Sequence, residues 1–224
     1  MEKITKHLFY IFIISVIYST SNSNNYIIEL YNIPVAKVNM DRVSTIYNNK
    51  SCTKILFSAV SNKITNVLFP IDNYYNIIID SSYNVLNFSK DTEQPSLVNN
   101  LSTEKVNGKL VYKNTNIEIH NGVFNIFTLL DYLAHQDFTN MLNKNFLLER
   151  EGSIYKAKVT QELDYIILYI DLIKSNRVVE YTDIFTWALF RDGAKRMIWI
   201  DQDKKRINKC KFIIDGHILE AVVQ

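Results

Sequence analysis

Glycine, proline and cysteine are scarce in this chain: five, three and two residues among 224. No two glycines stand close together, which excludes the loops that cradle phosphates with closely spaced glycines. No G-x-S-x-G elbow occurs, and neither Cys52 nor Cys210 carries the signature of a cysteine nucleophile. Two cysteines so far apart do not make a disulfide scaffold, although an oxidising compartment leaves a Cys52–Cys210 bridge open. Charge of one sign is also lacking, with 25 Lys and Arg against 23 Asp and Glu. Without a long basic stripe to neutralise a phosphate backbone, nucleic acid is not an expected partner. There is no internal repeat, heptad array or low-complexity tract.

The N-terminus is more informative. Lys3, Lys6 and His7 precede an apolar run over residues 8–14 that continues to Tyr18, and small polar residues follow. This is the order of a secretory signal peptide, and a run of about 11 residues is too short to span ~30 Å of hydrocarbon. The reading is a signal segment over 1–23, cleaved near Ser21 or Ser23, then one β-rich domain over 24–224 with no transmembrane span. An uncleaved anchor is the alternative, because the usual alanines are missing from the cleavage site.

All five glycines follow Asn, Asp or Glu: Asn107-Gly108, Asn121-Gly122, Glu151-Gly152, Asp192-Gly193 and Asp215-Gly216. Asn-Gly and Asp-Gly are strong hairpin signals, because a type I′ turn needs positive φ at both central residues. Strands are expected on their flanks, in "GKLVY", "NIEIH", "SIYKAKVTQ" and "DYIILYIDLI", the last apolar on both faces and therefore covered. Further strands are expected at 26–31, 35–43, 53–60, 75–79, 85–88, 183–190, 196–200, 209–214 and 217–223. The fold class is mainly β, a twisted antiparallel sheet or a partly open barrel or roll with one or two short helices. One helix is expected in "SNKITNVLFP" behind Ser61, where Ile64, Val67 and Leu68 share a face, and one in "NIFTLLDYLAHQDFTNML", where Phe127, Leu130, Leu133 and Ala134 do. The polar stretch 89–108, which contains Pro95, reads as a long exposed loop.

Candidate chemistry centres on "MIWIDQDKKRINKCKFIIDGHILEAVV", where Asp201, Asp203 and His217 could be metal ligands or an acid/base set. A metal site needs three or four converging ligands, whereas Asp201 and Asp203 adjoin Lys204, Lys205 and Arg206, whose charges oppose a cation. The bland reading is two hairpin turns between three strands, with Trp199 pointing into the core. The aromatic residues spread over the strands, such as Tyr74, Tyr155 and Trp187, are ordinary sheet residues or a concave face that stacks on sugars or covers acyl chains.

The segment "IFTWALFRDGAKRMIWIDQDKKRINKCKFIIDGHILEAVV" resembles the bacterial exported family catalogued as domain of unknown function 3108. Trp199, Asp203, Arg206 and Gly216 match the family's strand-ending tryptophan, its Asp-containing basic turn and its glycine turn. "LYNIPVAKVNM", "FPIDNYYNIIIDSSYNVLNF" and "NGVFNIFTLLDYL" are similar to its opening strand pair, middle strands and central helix, so the likeness spans 26–223. Lys37, Asn125, Thr128 and Asn208 depart from the family pattern. The resemblance implies an exported β-rich protein without an established reaction. The expected function is a non-enzymatic envelope protein, periplasmic or outer-membrane-associated, whose curved sheet binds or assembles a lipid, a glycan or an envelope partner without a cofactor. A hydrolase or metal-dependent enzyme using Asp201, Asp203 or His217, and a purely structural envelope protein, stand beside it.

Overall fold

The computed structural model describes residues 22–179 and 181–224. The expected signal segment lies outside the described residues, except that Asn22 and Ser23 already belong to the first strand. In chain order the elements are β1 (Asn22–Leu30), β2 (Ile33–Tyr47), β3 (Lys50–Ser61), α1 (Thr65–Leu68), β4 (Asp72–Ile79), β5 (Val85–Gln94) and β6 (Leu97–Val106). Then follow β7 (Lys109–Tyr112), β8 (Glu118–Ile119), β9 (Val123–Asn125), α2 (Ile126–His135), β10 (Asn145–Arg150), β11 (Ser153–Glu162) and β12 (Tyr165–Lys174). The last are α3 (Ile184–Phe190), β13 (Lys195–Asp201), β14 (Arg206–Ile214) and β15 (His217–Val223).

All strands join one sheet in the order β8-β7-β6-β5-β4-β3-β2-β1-β15-β14-β13-β12-β11-β10-β9. Every pairing is antiparallel except β9 with β10. The two edge strands, β8 and β9, are neighbours in sequence. Ile119 and Val123 are only four Cα steps apart, at most about 14 Å, so the connection forces the edges together and the sheet curls into a nearly closed barrel.

The turns explain this meander locally. Gly108, Gly152 and Gly216 have φ of +81°, +91° and +82°, and each follows a residue that also has positive φ, as the primed hairpin turns require. Tyr31-Asn32 and Asn48-Asn49 make equivalent turns without glycine. Gly152 is also required sterically, because a Cβ there would stand 2.0 Å from the Asn176 carbonyl oxygen.

The barrel is filled by α2, whose Ile126, Phe127, Leu129, Leu130 and Leu133 are all buried. A helix with eight of its ten residues buried is an interior helix, here with Thr128 and Asp131 as its buried polar positions. Asn125 caps it by accepting the Phe127 N–H at 3.0 Å. Its one buried carboxylate, Asp131, is paired with Arg42 of β2. Burial raises the Asp131 pKa, against the opposing pull of Arg42 and His135.

Four expectations need correction. Residues 183–190 form not a strand but α3, because Asp183 caps it by accepting the Thr186 N–H at 2.9 Å. Residues 89–106 are not a loop but most of the β5–β6 hairpin, turned at Pro95 and Ser96, the latter with φ of +62°. The helix at 65–68 is capped by Asn62 rather than Ser61 and buries none of its residues. Trp199 does not enter the core: Arg196 and Ile198 take the inward positions of β13, and Trp199 lies half-buried outside, its ring 4.9 Å from that of Tyr165. Buried Arg196 donates to the Leu189, Ala194 and Arg191 carbonyls, satisfying the orphan acceptors where α3 ends.

Candidate functional site: an apolar tunnel beside a buried ion cluster

Where β1, β2 and β15 face α3, several positions are small. Ala36, Ala188 and Ala221 stand where large side chains would close the gap. Two cavities result. An inner one of about 80 Å³ is lined without polar side chains other than Tyr26, by Val38, Met40, Phe127, Phe185, Cys210 and Phe212 among others. An outer one of about 340 Å³ is lined by Leu30, Val35, Phe69, Ile71, Ile184 and Trp187 among others. Ile28, Phe185, Ala188 and Leu219 line both, so the two cavities adjoin across these side chains as the inner and outer compartments of what we term the tunnel. Leu30, Phe69, Ile184 and Trp187 are 37–42% exposed, which marks the outer chamber as the mouth.

His217, Asp215 and Thr65 are the polar residues of that mouth. His217 Nδ1 lies 2.6 Å from the Tyr31 hydroxyl, and Asp215 pairs with Arg191 at 3.3 Å. Gly216 supplies the turn that brings His217 onto β15.

Asp201 and Asp203 are elsewhere. β14 runs from Arg206, opposite Asp201, to Ile214, opposite His217, so eight residue steps, roughly 26 Å, separate the two ends. Asp201 accepts the Lys204 N–H at 3.0 Å and stiffens its turn; that bond and the Lys204 and Arg206 charges hold its carboxyl below the usual range. Asp203 is exposed, and Arg206 donates to Asn208 at 3.1 Å. The hairpin reading of this stretch therefore describes its geometry, and the acid/base set is not assembled. Among the described residues no group of three or more His, Cys, Asp or Glu converges as metal ligands. Cys210 lines the inner chamber, Cys52 lies outside that core, and both are free. Burial pushes the Cys210 thiol up to about 12.

Sequence reasoning missed an ion cluster at the base of α3. Lys90, 1% exposed, bonds Glu151 and lies 2.7 Å from Asp183 Oδ2. Burial opposes the charge on Asp183, but the Lys90 ammonium and the Thr186 donors outweigh it and lower its pKa. Thr182 donates to Glu151 at 3.2 Å, and Gln94 accepts the Ile184 N–H at 3.1 Å. The cluster thus fixes the first turn of α3 to β5, and Phe185 and Ala188 of the tunnel wall are held by it. Next to it, Glu149 accepts from the Tyr112 hydroxyl at 2.7 Å and the Gly152 N–H at 2.6 Å. Complete burial raises its pKa to about 7 despite those bonds. The available signal was the inward row Phe88, Lys90, Thr92 and Gln94, a lysine in register with an apolar residue.

These features define a β-barrel-like protein with an internal helix and an apolar tunnel. The chain is similar to the solved structure of a β-barrel-like protein of domain of unknown function DUF1849 from Brucella abortus, with a TM-score of 0.50 and 9% identity over 90% of this chain and 95% of that one. At that identity the likeness speaks for the fold alone. No family model matches the chain, and no curated protein matches it. No helix of the described residues is long and apolar enough to cross a membrane.

Proposed function

We propose that the protein is an exported, non-enzymatic envelope protein that carries an acyl chain in the tunnel beside α3. The observation that carries this reading is the pair of abutting chambers with almost wholly apolar walls. The outer chamber alone reaches the range of small-molecule sites, from about 300 Å³ upward. The N-terminal order of basic, apolar and small residues supports export, periplasmic or outer-membrane-associated. The distance between Asp201 and His217 counts against the enzymatic alternative.

The test is displacement of cis-parinaric acid by saturated fatty acids of increasing length. Each methylene buried in the tunnel contributes ~0.8 kcal/mol, so affinity should rise about fourfold per methylene until the tunnel is full. Ala188→Phe, which places a ring where the chambers meet, should weaken binding at least about tenfold. Absence of binding by the wild type, or indifference to Ala188→Phe, would overturn the reading.

A glycan is the second reading, favoured by a groove of about 440 Å³ on the outer face of β2 to β6 that mixes polar side chains with an exposed aromatic. Asn39, Ser58, Tyr74, Asp91 and Asn100 follow one another across it in register, and Tyr74 is 52% exposed. Tyr74→Ala should abolish any oligosaccharide binding while leaving cis-parinaric acid binding intact.

A further inference from the structure

The mouth of the tunnel carries more apolar surface than its own lining needs. α1 is four residues long and buries none of them. Ile64, Val67 and Leu68 are 81, 82 and 82% exposed, although they share a helix face. Ile33, 65% exposed, belongs to the same projection, because Asn62 joins α1 to β2. Its side-chain amide donates to the Pro34 carbonyl and its backbone N–H to the Val35 carbonyl at 3.0 Å. The Asn62 side-chain oxygen accepts from Ile64 and Thr65 N–H at 3.0 and 2.8 Å. Hydrogen bonds, not burial, hold this knob in shape. Thr65 and Phe69 at its two ends line the outer chamber, so the knob is the lip of the tunnel.

Three observations name what covers it. Ile64, Val67 and Leu68 project with more than four-fifths of their surface exposed, so they stand out as anchors that a bilayer can take up without a complementary shape. Aromatic residues border the aliphatic tip, with Tyr31 51% and Trp187 42% exposed at the mouth. Exposed aliphatic side chains accompanied by Tyr and Trp are the composition found at a membrane surface. The tunnel also opens here, and a chain passing between a bilayer and the tunnel avoids exposure to water where the doorway meets the acyl region.

We propose that α1 and Ile33 insert into the face of a lipid bilayer and set the tunnel mouth against its acyl region. The proposal rests on the acyl-chain reading above, and the two can fail separately. Flotation with vesicles of phosphatidylethanolamine and phosphatidylglycerol tests the lip, and cis-parinaric acid titration without vesicles tests the tunnel. The exposed double variant Val67→Asp, Leu68→Asp should keep its melting temperature and its cis-parinaric acid affinity, while its vesicle partitioning falls roughly tenfold or more. Equal flotation of wild type and variant, or no flotation of the wild type, would overturn bilayer docking whatever the titration shows. Flotation that depends on the lip without any cis-parinaric acid binding would overturn the tunnel reading and keep a peripheral membrane protein. Sedimentation showing concentration-dependent self-association that the double variant abolishes would give the lip to a second copy of the chain, and the bilayer proposal would fall.

Discussion

Replacing Lys90 by methionine keeps most of the side chain's length and removes its charge, leaving Glu151 and Asp183 buried against each other without a cation. Their side chains are 6% and 0% exposed, so water cannot take over the role of the ammonium. Breaking a buried ion cluster by removing one partner costs about 3–5 kcal/mol. For a chain of this size that lowers the melting temperature by about 6–20 °C. The loss should depend on pH in a defined direction. In the wild type the Asp183 pKa is lowered, so its contribution is present above the unfolded value of 3.8 and is lost as pH falls through the folded one. In the variant the burial of Asp183 is no longer opposed by an ammonium, so its carboxyl is pushed up and folding improves as acid protonates it. The gap is therefore widest at neutral pH and narrows on acidification. Urea unfolding followed by tryptophan fluorescence at several pH values measures it. The triple variant Lys90→Met, Glu151→Gln, Asp183→Asn should recover most of the loss, because Asn still caps α3. A Lys90→Met cost below about 1 kcal/mol at neutral pH, or a triple variant as unstable as the single one, would refute the assignment of this cluster as the anchor of α3.

Other outcomes follow from the same geometry. Glu149 has a pKa raised from 4.5 to about 7, so the native state keeps its proton longer and stability falls as pH rises through that window. The drop is on the order of 3 kcal/mol, and Glu149→Gln should flatten it in denaturation curves between pH 5 and about 7.5. Trp199→Ala should cost about 1–2 kcal/mol, the loss of an outer-face stack on Tyr165 rather than of a core residue. Asp203→Asn should leave the melting temperature unchanged with or without divalent cations. Cys52 and Cys210 are both buried and unbridged. A thiol reagent should therefore find no reactive thiol in the native protein and two after unfolding.

The hairpin signals carried much of the topology. Asn107-Gly108, Glu151-Gly152 and Asp215-Gly216 each turn a strand pair, and the apolar row of α2 marks an interior helix. Reading failed where the barrel interior is itself polar. Lys90, Thr92 and Gln94 point inward, so β5 shows no apolar alternation and its hairpin looks like solvent-exposed loop. Residues 184–190 are rich in β-branched and aromatic types, and only the Asp183 cap and tertiary packing make them helical. Arg196 occupies an inward position because the end of α3 needs donors, a demand created by an element that the sequence reading took for a strand. The tunnel had no local signature at all. It arises from Ala36 and Ala221, which only the curled sheet brings opposite Ala188 of α3.

The seam between β1 and β15 joins the two ends of the chain, with Tyr26 opposite Val223 and the Gln224 N–H donating to the Asn25 carbonyl at 2.9 Å. This contact joins the first and last of the described strands and is the costliest loop to close, so the barrel can shut only after β15 has been made. A circular permutant that fuses the ends through a short linker and opens between His120 and Gly122 removes that constraint. Its strands would then run β9 to β15 and β1 to β8, the same order in which they pair, so every partner would be the next strand along the chain. The identical barrel would then have lower contact order, and it should fold faster than the natural arrangement.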